Sequence, residues 1–373
     1  MVVGGARVRE AWPDLAKGVC VSLVVLWHVT SKSLGELPGA EAWTGPWSML
    51  SAVLTPFRIP LFFAVSGFFA ARALTRPWPT VRRARVLNPY YLYALWLCVH
   101  TAVFSVVALR TNTARDPLEL LLYLLTGASN LWYLYALAAY MLLARAVVRS
   151  RTASVVAVAL AAVVCVVAYA GVLPSWGNSE GLLRNVVFFL VPALAPRVLE
   201  RAVAGASWRV LGLAVLAFLV CAGLRLALGP WAAVPAAVTG VWLGTVAAVV
   251  AGSWRTLAGV RWVGRRTLPV YVLHLPVLAL LHAGVLRAAP ALPEVLLAVY
   301  PLVATVLLLA VCLALHAGLQ RAGLGILFSL PAPADRGRTT VHPRGAGVPA
   351  ARQPSPVATG RDGSLLHAEN EPA

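Results

Sequence analysis

Residues 18–36 read GVCVSLVVLWHVTSKSLGE, an apolar run broken by His28 and closed by Lys32 and Glu36. The run is close to the roughly 20 residues that a helix needs to cross a bilayer. Lys17 stands directly before it, the basic start of a secretory signal, yet no small-residue cleavage site follows and many further apolar runs do. It is therefore read as a membrane span. Nine comparable runs lie downstream, at about 56–75, 86–109, 130–148, 152–173, 183–199, 208–228, 231–252, 267–288 and 294–318. The sequence thus predicts an all-α, polytopic integral membrane protein with about ten transmembrane helices. The run at 183–199 is short and carries Pro192 and Pro196, which a buried span tolerates.

Composition leads to the same class. Hydrophobic residues make up 60% of the 373 and charged ones 12%, against roughly 25% charged in a soluble domain. Mean hydropathy is +0.80. A chain this poor in polar groups cannot cover its own surface, so its solvent is lipid. The net charge of +18 falls in short clusters between apolar runs rather than along one soluble face, so its partner is an anionic membrane leaflet and not nucleic acid. The five cysteines are scattered singly in apolar runs, without the spacing of a metal site or a disulfide framework, and read as small core hydrophobes. No metal is expected. The basic residues are almost all arginine and the spans are rich in Ala and Val, a composition of GC-rich bacterial genomes.

Basic residues in alternate loops give an orientation. One side collects 24 of the 31, including Lys17, the arginines from Arg72 to Arg85, those from Arg255 to Arg266, and six from Arg321 onward. Lys32, Arg58, Arg110, Arg115, Arg184, Arg225 and Arg287 fall on the other. Both termini are therefore expected in the cytoplasm of a bacterial cell, with the chain in its plasma membrane. Asp116-Pro117-Leu118-Glu119 reads as an N-cap, a first-turn proline and an acidic third residue opening a helix of about ten residues, too short to span. Beyond Pro331 the composition shifts to Pro, Arg, Gly, Ser and Thr without apolar periodicity. The domain reading is a membrane-embedded unit over 1–320 and a disordered cytoplasmic tail over 331–373, with no room for a second catalytic domain.

Ionisable residues inside spans are costly, so each is a candidate for function. His28 lies about nine residues into the first run, near mid-membrane at ~1.5 Å per residue. Lys17 is eleven residues earlier, about three turns, so both point to one side of the helix, with Asp14 one turn below Lys17. Arg58 stands at the outer end of the second span, where it either snorkels to the interface or faces a polar cavity. Ser66 and Gly67 suit close helix packing. Arg82 and Arg85, three residues apart, can grip phosphate with forked hydrogen bonds; the plain alternative is a charge anchor on the cytoplasmic side. Trp132, Tyr133 and Tyr135 suit an aromatic belt. His274, about six residues into the ninth run, could line a donor channel, while His100, His282 and His316 read as structural.

Together these residues resemble the bacterial acyltransferase-3 family of membrane O-acyltransferases. Lys17 with His28 matches its Arg/Lys-x10-His signature, with lysine where arginine is commoner. Arg58–Phe69 looks like its "PLFF–SGFF" helix, Arg82–Arg85 matches its R-x-x-R motif, and Asn130–Leu134 and Tyr271–His274 fit its "LWYL" and "YxxH" patterns. The resemblance covers residues 7–320. It implies transfer of an acyl group, often acetyl from cytosolic coenzyme A, to a hydroxyl of a sugar, glycan or other acceptor. His28 would be the general base, Lys17 and Asp14 would guard the cytosolic mouth, Arg82 and Arg85 would hold donor phosphates, and Arg58 would stabilise charge near the acceptor. Acyl-coenzyme A would be a co-substrate, with no permanently bound cofactor. Many members carry a further extracytoplasmic esterase-like domain. This chain ends instead in a short polar tail, like the stand-alone members assigned to sugars such as fucose, and is expected to act alone or to pass acyl groups to a partner protein. The competing readings are a transporter or flippase with a His- and Arg-lined pore, and a purely structural membrane scaffold.

Overall fold

The computed structural model describes residues 11–107, 109, 111–173, 176–288 and 292–331. The expected tail and the basic residues Arg7 and Arg9 lie outside these. Each of the ten apolar runs is a helix: α1 (Trp12–Lys32), α2 (Glu41–Leu74), α3 (Asn88–Phe104), α4 (Trp132–Val147), α5 (Arg151–Tyr169), α6 (Ser179–Leu194), α7 (Trp208–Leu228), α8 (Ala233–Val250), α9 (Thr267–Ala288) and α10 (Glu294–Arg321). No strand occurs among the described residues.

By length and composition, six helical stretches are able to cross a membrane, or seven when α6 is joined to the following helix Arg197–Ala204, from which it is bent by 81°. Ten crossings require that α3 and α4, with 17 and 16 residues, also cross. They require too that the stretch Trp208–Val250 count twice. That stretch breaks at Gly229, where φ is +69°, and its halves α7 and α8 pack against each other. The outer faces of α5 and α7 carry exposed Val155, Leu160, Val163, Leu213, Leu216 and Leu219, the surface of a helix whose solvent is hydrocarbon.

Two helices start earlier than expected. α1 begins at Trp12, with Pro13 in its first turn and Asp14 buried near the positive end of the helix dipole. His28 is consequently past the midpoint of α1. α2 begins at Glu41 rather than near residue 56 and runs for 34 residues through Pro46, Pro56 and Pro60. Those prolines argue for a break when read from sequence, but neighbouring helices can satisfy the backbone groups that they free. The helix expected after residue 115 is present at Pro117–Thr126. Asp116 Oδ1 accepts from the Glu119 amide at 2.8 Å, and Glu119 Oε2 accepts from the Arg115 amide at 2.7 Å.

α1 is the central helix. It packs against α2, α8, α9, α10 and the short helix Ala258–Gly264. Its approach to that short helix is backbone to backbone: a Cβ at Gly18 would collide with the carbonyl of Val260, and one at Gly264 with the carbonyl of Asp14. Small residues at such contacts let helices pack where hydrophobic burial gives no drive. α2 meets α6 in the same way, through Gly67 and the Phe189 backbone.

Candidate functional site

The site is built along α1. Lys17, Val21, Val24 and His28 follow one another at intervals of four, three and four residues, which places them on one face of the helix. Lys17 lines a cavity of about 280 Å³; Val21, Val24 and His28 line another of about 270 Å³. Phe62 of α2, Tyr133 of α4 and Tyr271 of α9 belong to the walls of both. The rings of Phe62 and Tyr133 stack with centroids 4.8 Å apart, and Tyr271 meets Tyr133 edge-on at 5.6 Å. Hydrogen bonds hold this partition. The Tyr133 hydroxyl lies 2.8 Å from Ser66 Oγ. The Tyr271 hydroxyl donates to the carbonyl of Asn130 at 3.2 Å and accepts from the Tyr133 amide at 3.3 Å.

Tyr133 is thus an interior residue, 7% exposed, and not part of an aromatic belt. Ser66 does more than permit packing, because it lines the Lys17 cavity and pairs with Tyr133. Tyr271→Phe removes a buried hydroxyl that serves two backbone groups. It is expected to lower stability by about 1–3 kcal/mol while leaving the fold intact, as a fall in Tm of the purified protein checks.

In the first cavity Lys17 Nζ is paired with Asp14 Oδ1 at 3.2 Å and lies 5.6 Å from the centroid of Phe69. Arg85 opens on the same space, beside Asn88. Arg82 is exposed and is not among its lining residues. Residues 82–87 form a π-helical turn, wider than an α-turn, so side chains three apart lose the common face that an α-helix would give them. Of the two arginines expected to act as a clamp, both exposed, only Arg85 is among the residues lining this cavity. Arg83 between them donates to the carbonyl of Pro331.

The second cavity contains His28, Trp27 and Arg58 on one side and Asn130, Trp132, Glu180, Arg184 and Asn185 on the other. Of the two alternatives for Arg58, the structure has the inward one. The side chain is 5% exposed, its guanidinium lies 5.0 Å from the Trp27 ring centroid, and it reaches toward the carbonyl of Ser51 at 3.4 Å. Glu180 and Arg184 form an ion pair one turn apart on α6, and Arg184 Nε also donates to the carbonyl of Ala168 at 3.2 Å. Sequence reading counted Arg184 only as a loop charge. The signal available was an acid and a base four residues apart at the start of a short apolar run, the spacing that pairs them on one helix face.

His274 lines neither cavity. It is 2% exposed and stands directly behind His28, the ring centroids 5.0 Å apart. The residues of α9 that line the first cavity are Thr267, Leu268 and Tyr271, further toward its start. His100 is buried and its Nε2 lies 2.8 Å from the carbonyl of Val272; His282 Nδ1 lies 2.9 Å from Ser33 Oγ. Among the described residues no cluster of His, Cys, Asp or Glu has the arrangement of a metal site.

Compared with known families, residues 10–317 match the acyltransferase-3 family model, described as an acyltransferase domain. The chain belongs to the acyltransferase-3 family. Within this family's curated members, it is similar to the inner membrane protein YcfT of Escherichia coli (strain K12), at 26% identity over 205 residues. That match takes in 50% of this chain and 56% of YcfT, so the chain spans little more than half the length of this relative. No solved structure matches. Family membership with the apolar helices makes the chain a multi-pass membrane protein of an acyltransferase family.

Proposed function

We propose that this acyltransferase-3 protein transfers an acyl group, acetyl in the first instance, from cytosolic acyl-coenzyme A to a hydroxyl of a sugar, glycan or similar acceptor. The observation that carries this reading is the pair of cavities on one stripe of α1, one cationic with Lys17 and Arg85, the other holding His28 and Arg58, with a shared wall. The arginine asymmetry of the loops supports a Lys17 cavity on the cytoplasmic side of a bacterial plasma membrane. A coenzyme A phosphate then meets Lys17 and Arg85 while its thioester passes between Phe62, Tyr133 and Tyr271, which part to admit it to the His28 cavity. An acceptor hydroxyl enters from the His28 side. His28 takes the hydroxyl proton, the oxygen attacks the thioester carbonyl, and the carbon–sulfur bond breaks with the proton returned to the departing thiolate. Arg58, desolvated beside the imidazole, stabilises the negative charge that builds on the reacting oxygens.

Transfer of label from radiolabelled acetyl-coenzyme A to a whole-cell glycan extract, in membranes carrying the protein, tests this. Label in an acceptor supports the reading and identifies the product. Vesicle flux of a glycan or metabolite with no acyl-coenzyme A binding by the purified protein replaces it with a transporter. That Arg85 lines the cavity and Arg82 does not adds a finer expectation: Arg85→Ala raises the donor KM roughly tenfold with a smaller effect on kcat, whereas Arg82→Ala leaves both near wild type. Equal effects of the two substitutions would mean that the donor is held outside the cavity.

A further inference from the structure

The mechanism above uses His28 as a base but leaves open what makes the correct nitrogen basic. An imidazole can abstract a proton only through its unprotonated nitrogen, and which nitrogen that is depends on the hydrogen bond made by the other. Serine hydrolases settle this with a carboxylate, but the charged groups that act on His28 are Lys32, one turn along α1, and Arg58 on α2, both cations, and the carboxylate of Glu180 on the same cavity is paired with Arg184. The other titratable group beside it is His274 of α9.

The tautomer of His274 follows from its surroundings. Its Nδ1 lies 2.7 Å from the carbonyl of Tyr271 and 3.1 Å from that of Val270. Carbonyl oxygens only accept, so Nδ1 carries the proton and Nε2 carries the lone pair. That Nε2 is buried and has no hydrogen-bond partner. On the neighbouring ring Nδ1 of His28 is likewise buried without a partner, which leaves Nε2 as the nitrogen facing the cavity. The rings are 5.0 Å apart and tilted by 44°, so each orphaned nitrogen is the available partner of the other once the His28 ring, whose Nδ1 has no partner, turns. Catalytic hydrogen bonds are often long or misaligned before substrate binds and tighten afterwards.

We infer that His274 is a positioning residue: its Nε2 accepts a hydrogen bond from Nδ1–H of His28, which holds the Nε2 lone pair of His28 toward the acceptor hydroxyl. Tyr271 and Val270 fix the orientation of His274 through their backbone, so the arrangement depends on the helical turn Val270–His274 and not on any carboxylate. This rests on the reading of His28 as the base. It assigns to a neutral histidine the task that an aspartate performs in hydrolases, and it accounts for why His274 is buried behind His28 without touching either cavity.

The test is the protonation pattern of His28 in the full-length, ¹⁵N-histidine-labelled protein, read from long-range ¹H–¹⁵N correlations at a pH where the ring is neutral. Its signal is identified by its loss in His28→Ala. In the wild type the proton is expected on Nδ1. In His274→Leu, which cannot accept a hydrogen bond, the signal shifts to a mixture or to the Nε2–H form. In His274→Gln, whose amide oxygen can accept, the Nδ1–H form returns. Kinetics should follow: kcat falls about tenfold in His274→Leu with the donor KM unchanged and recovers in His274→Gln. A proton on Nε2 of His28 in the wild type overturns the inference, and that measurement needs no variant to fold. A well-folded His274→Leu with the wild-type pattern overturns it as well. Transfer that persists in His28→Ala would sink the catalytic reading while leaving the tautomer result standing, so the two failures are distinct.

Discussion

His28→Ala is expected to lower acyl transfer by about 10²–10⁴-fold, the range that a positioned general base contributes, with the donor KM little changed. The residue is 9% exposed, lines the cavity that holds Arg58, and sits on the same stripe of α1 as Lys17. Its removal takes away the imidazole that would accept the acceptor's proton; Arg58 has no lone pair to offer, and Glu180 on the same cavity is committed to Arg184. The fold should survive. His28 packs beside Trp27 and His274, and no hydrogen bond holds its Nδ1, so alanine costs packing but breaks no network. Matched expression and an unchanged Tm would show this. Transfer rates within threefold of wild type at equal protein levels would make His28 a packed histidine and move the chemistry elsewhere.

Gly264→Leu is expected to have the largest effect on the fold, with little protein recovered in a monodisperse form. The position faces the carbonyl of Asp14, and a Cβ there would occupy the space of that oxygen and crowd the amide of Gly18. The obstacle is backbone, which cannot rotate aside as a side chain can, so the short helix and α1 must separate. Overpacking of a tight contact costs about 1–3 kcal/mol and more when backbone must move. The displacement would also carry Asp14 and Lys17 away from the first cavity. Gly264→Ala introduces the same Cβ without the rest of the leucine side chain, and is expected to lower Tm and weaken donor binding together. Size-exclusion profiles and thermal unfolding check both, and a Gly264→Leu protein with wild-type behaviour would mean that α1 is not anchored there.

Much of this was legible because apolar periodicity survives without a structure. The ten runs are ten helices, and the Lys17–His28 stripe follows from helical spacing alone. What escaped depended on departures from regular geometry. The π-turn at 82–87 separates Arg82 from Arg85, and nothing in the residue types announces it. The second apolar run begins near residue 56, yet α2 starts at Glu41 and runs through Pro46, Pro56 and Pro60. Tyr133 and Tyr271 looked like members of local motifs; their meeting at a shared wall is a long-range contact between α4 and α9 that a single sequence does not encode locally. Glu180 and Arg184 were visible as charges, but only the position of α6 beside α2 brings them opposite His28.

The ring partition has a consequence for the cell beyond chemistry. A membrane that stores energy as an ion gradient is an electrical insulator, and each elementary charge crossing 100 mV dissipates about 2.3 kcal/mol. A protein open to water from both ends would be a short circuit, discharging that gradient continuously whether or not it turned over. Phe62, Tyr133 and Tyr271 close the path with apolar ring faces and with hydroxyls already committed to Ser66 and to the backbone of residues 130 and 133. With no donor between them, the two cavities are thus kept apart by a dielectric only a few rings thick.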